Sequence, residues 1–213
     1  MANDEPQARE REVRPPEVAA HEVPGEALGT PQSAPLSAPA SPRTPANAGL
    51  RFLLSHPAHA LALGLGSGLL RPGPGTWGTA LAWAIFSVLA PGGAADPATA
   101  LIVVAVALIV GTWAAEHTAA MLGEADPSTI VVDEMVAFWL VLVMLPTGRH
   151  WFALQVVAFV LFRFFDIAKP PPIGSIDRRW KNAFGVMADD LVAALYTLIV
   201  IALVTRLSVL ASA

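Results

Sequence analysis

The sequence predicts an all-α fold: a polytopic membrane bundle of about five spanning helices, with a short interfacial helix and a disordered N-terminal tail. Three observations predict it. Of 213 residues, 54% are hydrophobic and 14% charged, against the ~25% charge of an ordinary soluble domain. The long apolar runs all follow residue 49. The charges inside those runs are clustered, at Asp133-Glu134, at Arg163, Asp166 and Lys169, and at Asp189-Asp190.

Residues 1–49 hold nine of the nineteen prolines, seven acids and four arginines. Such a stretch cannot bury enough apolar surface to offset its ordering entropy, so it is expected to be a disordered tail. It lacks the apolar core of a signal peptide. The helical domain is expected over 50–213. Residues 52–65 are apolar but interrupted by Pro57 and two histidines, which suits an interfacial or re-entrant piece. Spanning helices are expected at about 76–91, 98–118, 131–147, 150–168 and 189–211. Several have apolar cores shorter than the ~20 residues a span prefers, and a soluble bundle of very apolar helices is the alternative. Trp77, Trp113, Trp139, Trp151 and Trp180 read as interface anchors.

If five helices cross, the loops at 64–75, 119–130 and 169–188 share a face with the N-terminus. The loops at 91–97 and 146–150 then lie opposite. Without the tail, six bases (Arg51, Arg71, Lys169, Arg178, Arg179 and Lys181) fall on the first face and two, Arg149 and Arg206, on the other. Arg163 lies inside a helix. The excess places the first face in the cytoplasm. Every cluster of chemically useful residues falls on that face.

Four clusters stand out. In GLGSGLLRPGPGTWGT, residues 64–79, the glycines and prolines predict irregular backbone, and Gly75, Thr76 and Gly78 open a helix whose free N–H groups favour an anion. A flexible entry loop with close helix packing would read the same way. The second cluster is Glu116, Asp126, Asp133 and Glu134. Acids at a helix start complement its dipole, which accounts for Asp126 but less well for the Asp133-Glu134 pair behind an apolar Ile130-Val131-Val132. Acids at a membrane edge mark a functional site by default, and clustered carboxylates suit a hard metal ion. In the third, Arg163, Asp166 and Lys169 recur on one helix face. They could form a structural ion pair and a helix C-cap, or a phosphate grip beside a metal carboxylate. The fourth, Asp177-Arg178-Arg179 followed by Asp189-Asp190, offers further carboxylates and bases for phosphate or anionic headgroups. His56, His59 and His117 read as structural or solvated.

The sequence also excludes functions. Without the tail the balance is ten acids to nine bases, so the basic stripe of a nucleic-acid binder is absent. There is no Cys, which removes disulfides, thiolate metal sites and cysteine phosphatase chemistry. No Asp-x-Asp exists for an aspartyl-phosphate enzyme.

Taken in order, GSGLLRPGPGTWGT, DPSTIVVDE, FRFFDIAKPPPI and GVMADDLVAAL resemble the phosphatidylglycerophosphatase A family. The resemblance covers about 50–205. It departs at Ser128, Ala137, Asn182-Ala183 and Val186, and loses no acid. It implies a multi-pass, Mg²⁺-dependent lipid phosphatase of the bacterial inner membrane that hydrolyses phosphatidylglycerophosphate to phosphatidylglycerol and phosphate in glycerophospholipid biosynthesis. It implies Asp133, Glu134, Asp166, Asp189 and Asp190 as catalytic acids, with Asp133, Glu134, Asp166 and Asp190 as Mg²⁺ ligands. Arg163, Lys169, Arg178, Gly75 and Thr76 would hold the phosphate. The alternatives are a membrane carrier or channel whose clustered acids bind a cation, and a catalytically inactive lipid-binding relative.

Overall fold

A computed structural model describes residues 49–94, 96–124, 126–171 and 183–212. The tail and the 172–182 stretch with Arg178, Arg179 and Lys181 lie outside the described residues. Those described form seven α-helices and no β-strand. The helices are α1 (Leu50–Leu53), α2 (Pro57–Ala62), α3 (Pro74–Leu89), α4 (Pro97–Leu122), α5 (Val132–Met144), α6 (Trp151–Ala168) and α7 (Ala183–Ser212). The five longest helices fall where the sequence predicts them.

Local chemistry sets their ends. Asp96 caps α4 by accepting from Ala98 N and Thr99 N, Pro97 occupies the first turn, and Gly123 closes the helix at φ 72°. That left-handed position suits glycine. The Thr99 hydroxyl and those two N–H groups hold Asp96 below the usual carboxylate range. The helix runs past its expected end because Ala119-Ala120-Met121-Leu122 are good helix formers; the true stop is Gly123. Helix α7 starts six residues early, since Gly185-Val186-Met187 is helical rather than loop. Between α2 and α3, Gly64–Leu69 forms 3₁₀ turns broken at Leu65 and Gly66, both with positive φ.

Among the described residues, three helices are long and apolar enough to cross a bilayer: Pro97–Leu122, Trp151–Ala168 and Met187–Ala211. Their outward faces carry Ile102, Ile109, Val160, Leu203 and Leu207, all more than half exposed. An apolar surface of that extent suits lipid rather than water. Helices α3 and α5, with 16 and 13 residues, would reach only about 24 and 20 Å at 1.5 Å per residue.

Helix α5 is the axis of the bundle. It contacts α3, α4, α6 and α7, and it buries Val136, Phe138, Val141 and Leu142 almost completely. A helix surrounded on all sides needs no polar stripe, which explains its uniform apolarity. Trp139 belongs to this core: its Nε1 donates to Ala82 O at 2.9 Å, so it is not a simple interface anchor. Val131 N donates to Ala62 O at 2.9 Å, tying the start of α5 to the end of α2.

Close packing at the α5 start depends on glycine. A Cβ on Gly78 would approach Val131 Cβ to 2.8 Å, and one on Gly68 would stand 2.0 Å from Thr129 O. At the opposite end of the bundle, a Cβ on Gly93 would meet Thr147 Cγ2 at 2.4 Å. The α3–α4 and α5–α6 loops therefore meet there, as the alternation of helices requires.

Helix α2 packs on α4 through stacked rings. His59 lies 4.0 Å from the Phe52 ring and 5.6 Å from that of His117, with His56 4.6 Å from His117. Burial holds His59 below its ordinary value of 6.5, a shift that the Phe52 carbonyl partly opposes. The folded chain thus binds fewer protons at His59 than the unfolded chain. The stability this confers is present above about pH 6.5 and lost as pH falls through the lower folded value. The unfolding temperature in detergent is expected to fall from pH 7 to pH 5, and to fall less in His59→Gln. Equal slopes for the two proteins would contradict this.

Candidate active site

Four helix ends meet at one end of the bundle around a cavity of about 260 Å³. The start of α3 contributes Gly73 to Gly75, and the start of α5 contributes Asp133 and Glu134. The end of α6 contributes Arg163, Asp166 and Lys169, and the start of α7 Asp189 and Asp190. Asp126 and Ser128 join from the α4–α5 loop.

The acids are deep. Asp133, Asp189 and Asp190 are each about 95% buried. Asp133 Oδ1 accepts from Glu134 N at 3.0 Å, and both lie in the first turn of α5, where the dipole favours negative charge. Arg163 Nη1 is 2.7 Å from Asp166 Oδ2 and 3.4 Å from Glu134 Oε1. It therefore bridges α5 and α6. Lys169 Nζ is 2.7 Å from Asp189 Oδ2, which ties α6 to α7. Lys169 ends α6 in a left-handed conformation, φ 41°, directly before Pro170. Strain of this kind in a non-glycine residue costs of order 1 kcal/mol and gathers at functional sites.

Gly75 lets these groups approach α3. A Cβ there would stand 1.8 Å from Glu134 Oε1, 2.6 Å from its Cδ and 3.0 Å from Arg163 Nη2. The cavity thus brings together Gly75, Asp133, Glu134, Arg163, Asp166, Lys169, Asp189 and Asp190 from the sequence-derived set. Thr76 does not join them: it is exposed, and its N–H is already donated to Gly73 O at 3.0 Å. Arg178 lies outside the described residues. Glu116 is exposed on α4 and does not line the cavity.

Two residues were not singled out for the site by sequence. Asp126 lines the cavity, although its Asp-Pro context explains it as a turn residue. Thr79 is fully buried and lies 3.4 Å from Arg163 Nη1. Its signal was the spacing of four from Gly75, which places both on one face of α3.

The match to known proteins follows the same residues. The family profile described as Phosphatidylglycerophosphatase A covers residues 60–205, from α2 to the last turns of α7. The chain belongs to the phosphatidylglycerophosphatase A family. It is 41% identical over 152 residues to Phosphatidylglycerophosphatase A of Haemophilus influenzae, covering 71% of this chain and 90% of that protein. It is 35% identical over 155 residues to Phosphatidylglycerophosphatase A of Escherichia coli, covering 67% and 80%. A Bacteroides thetaiotaomicron protein, provisionally named a phosphatidylinositol-3-phosphatase, is 40% identical over 151 residues, 67% of this chain and 89% of its own. No solved structure matches. This phosphatidylglycerophosphatase A family member is accordingly an enzyme, a phosphatase, with apolar helices of membrane length.

The residues of this family member suit a hard divalent cation. Six carboxylates (Asp126, Asp133, Glu134, Asp166, Asp189 and Asp190) face two cations, Arg163 and Lys169, across one small cavity. That leaves a formal excess of four negative charges. Glu134 Oε2 is buried without a hydrogen-bond partner among the described residues, and such an atom calls for a ligand. Among the described residues no three acids or histidines already stand in ligating positions. Mg²⁺ asks for less, since it keeps several waters and takes one or two carboxylates. The donor set therefore fits it.

Proposed function

We propose that this chain hydrolyses the phosphate monoester of phosphatidylglycerophosphate to phosphatidylglycerol and inorganic phosphate, in phospholipid synthesis, with Mg²⁺ as cofactor. The observation that carries this reading is the single cavity in which four helix ends and the α4–α5 loop place six carboxylates beside an arginine and a lysine. A cation carrier would need acids spaced through the bilayer, and the six that line the cavity lie at one end of the bundle. A catalytically inactive relative would not need to keep every acid of the set.

One or two of Asp133, Glu134, Asp166 and Asp190 would hold Mg²⁺, which when bound lowers the pKa of a water and neutralises phosphoryl charge. The chain's own groups do the rest. Arg163 presents Nη2 toward the first turn of α3, beside Gly75, where a phosphoryl oxygen can meet both. Lys169 adds a point charge. Asp190 has no cation partner among the described residues, unlike Asp166 and Asp189. A carboxylate oxygen of Asp190 left free by Mg²⁺ would take a proton from the attacking water. The new bond forms from that water oxygen to phosphorus. The bond from phosphorus to the glycerol oxygen breaks, and that oxygen leaves as an alcohol once protonated.

Phosphate release by detergent-purified protein tests the reading. Turnover of phosphatidylglycerophosphate is expected, abolished by EDTA and restored by excess Mg²⁺. Phosphatidylinositol 3-phosphate, the lipid suggested by one relative's name, is the comparison substrate. Faster release from it would redirect the substrate, and EDTA-resistant turnover would remove the metal.

The site is proposed to face the cytoplasm of a bacterial inner membrane, with α3 and α5 completing five spans through their flanking residues. The chain has no native Cys, so single cysteines report this cleanly. Ser128→Cys is expected to react with impermeant reagent from the cytoplasmic side. Gly92→Cys, where a side chain has open space, is expected to react only from outside. Labelling of both from one side would contradict the topology.

A further inference from the structure

Thr79 performs a task that the reading above leaves unassigned. Its hydroxyl donates to Gly75 O at 2.9 Å. That is an ordinary bond for a helical threonine, and Thr112, Thr197 and Thr205 make the same bond to the residue four before them. Thr79 differs in what lies on its other side. With its proton committed to Gly75 O, its lone pairs are left to accept from Arg163 Nη1 at 3.4 Å. That nitrogen also meets Glu134 Oε1 at 3.4 Å and Asp166 Oδ2 at 2.7 Å. Three oxygens from α3, α5 and α6 thus converge on one guanidinium nitrogen, and sharing the donor explains the two longer contacts. Thr79 is fully buried, so water cannot replace its hydroxyl.

We propose that Thr79 is a positioning residue that fixes the Arg163 guanidinium so that Nη2 faces the phosphoryl site at Gly75. Gly75 and Thr79 act as one face of α3. The glycine leaves the space in which Nη2 and Glu134 Oε1 lie, and the threonine one turn later holds Nη1. Without the Thr79 oxygen, Asp166 and Glu134 alone hold Nη1, both on the carboxylate side. The guanidinium is then free to turn toward Asp166, its nearest partner at 2.7 Å, and away from α3. The proposal rests on the phosphatase reading, because the group being positioned is the one that meets the phosphate.

Kinetics of phosphate release from phosphatidylglycerophosphate separate this from a structural role. Thr79→Val keeps the shape and removes the hydroxyl. It is expected to lower kcat about tenfold, in line with small misplacements of catalytic groups, with KM changed far less. Thr79→Ser is expected to recover most of the rate. In an Arg163→Lys background, Thr79→Val is expected to make little further difference, because the two act as a unit. Should Thr79→Val fail to fold, Thr79→Ala carries the same expectation. A wild-type rate without the hydroxyl would overturn the proposal. So would a serine variant as slow as the valine one, or the same tenfold loss in the Arg163→Lys background. Absence of phosphate release from the wild-type protein would instead remove the phosphatase reading, and this proposal with it.

Discussion

Replacing Asp133 or Asp166 with Asn is expected to lower turnover by about a thousandfold, the scale seen when one preorganised electrostatic group is removed from an active site. Asn has nearly the shape of Asp but no charge, so each variant tests charge rather than packing. Asp133 is about 95% buried at the start of α5, and its Oδ1 accepts the Glu134 N–H. An Asn carbonyl can still accept that bond, so α5 should begin as before. The Asp133 variant also removes one of the excess negative charges from the cavity. Its unfolding temperature in EDTA is therefore expected to stay level or rise while activity vanishes. Asp166 is different, because its Oδ2 is 2.7 Å from Arg163 Nη1. Its loss leaves the guanidinium to Glu134 and Thr79, and a modest drop in unfolding temperature should accompany the loss of turnover. Activity near the wild-type rate in either variant would take that carboxylate out of the site.

The second large effect concerns a residue with no side chain. Gly75→Ala is expected to reduce phosphate release by at least about a hundredfold and to lower the unfolding temperature. The added methyl would stand 1.8 Å from Glu134 Oε1 and 3.0 Å from Arg163 Nη2. One of the two groups must move, and both are held: Arg163 by three oxygens, and Glu134 by its position in the first turn of the buried α5. Overpacking of this sort costs about 1–3 kcal/mol in folded proteins, and here it falls on the groups that meet the phosphate. Gly92→Ala is the matched control, since a Cβ there meets nothing within 4 Å. Equal activity in Gly75→Ala and Gly92→Ala would mean that the first turn of α3 does not shape the site.

Much of this arrangement was legible in the sequence. Charge inside apolar runs is costly enough to stand out, so Asp133-Glu134, Arg163, Asp166, Lys169 and Asp189-Asp190 could be picked out one by one. Strict alternation of helices then required their helix ends to share a face, and the structure brings all of them to one cavity. The ends of α4 were written locally, in Asp96-Pro97 and Gly123. What could not be read depended on tertiary neighbours. Thr79 looks like any threonine in an apolar helix until Arg163, 84 positions later, is brought beside it. Asp126 was accounted for by the dipole at a helix start, and only the fold shows that it also lines the cavity. Apolarity on every side marked α5 as a span, and its 13 residues are equally what a helix surrounded by four others carries, so that sequence does not separate the two. Thr76 was picked out and Thr79 was not, because sequence shows where a helix starts but not which face of its first turn looks inward.

The central claim is that carboxylates from the starts of α5 and α7 and the end of α6 form one cation and phosphate site. Anomalous diffraction from crystals of the wild-type protein grown with Mn²⁺ in place of Mg²⁺, together with inorganic phosphate, measures this directly. The metal peak is expected between α5, α6 and α7, bonded to at least one of Asp133, Glu134, Asp166 and Asp190, with phosphate against Arg163 and Gly75. A metal bound elsewhere, with these carboxylates all left outside its coordination sphere, would contradict the account.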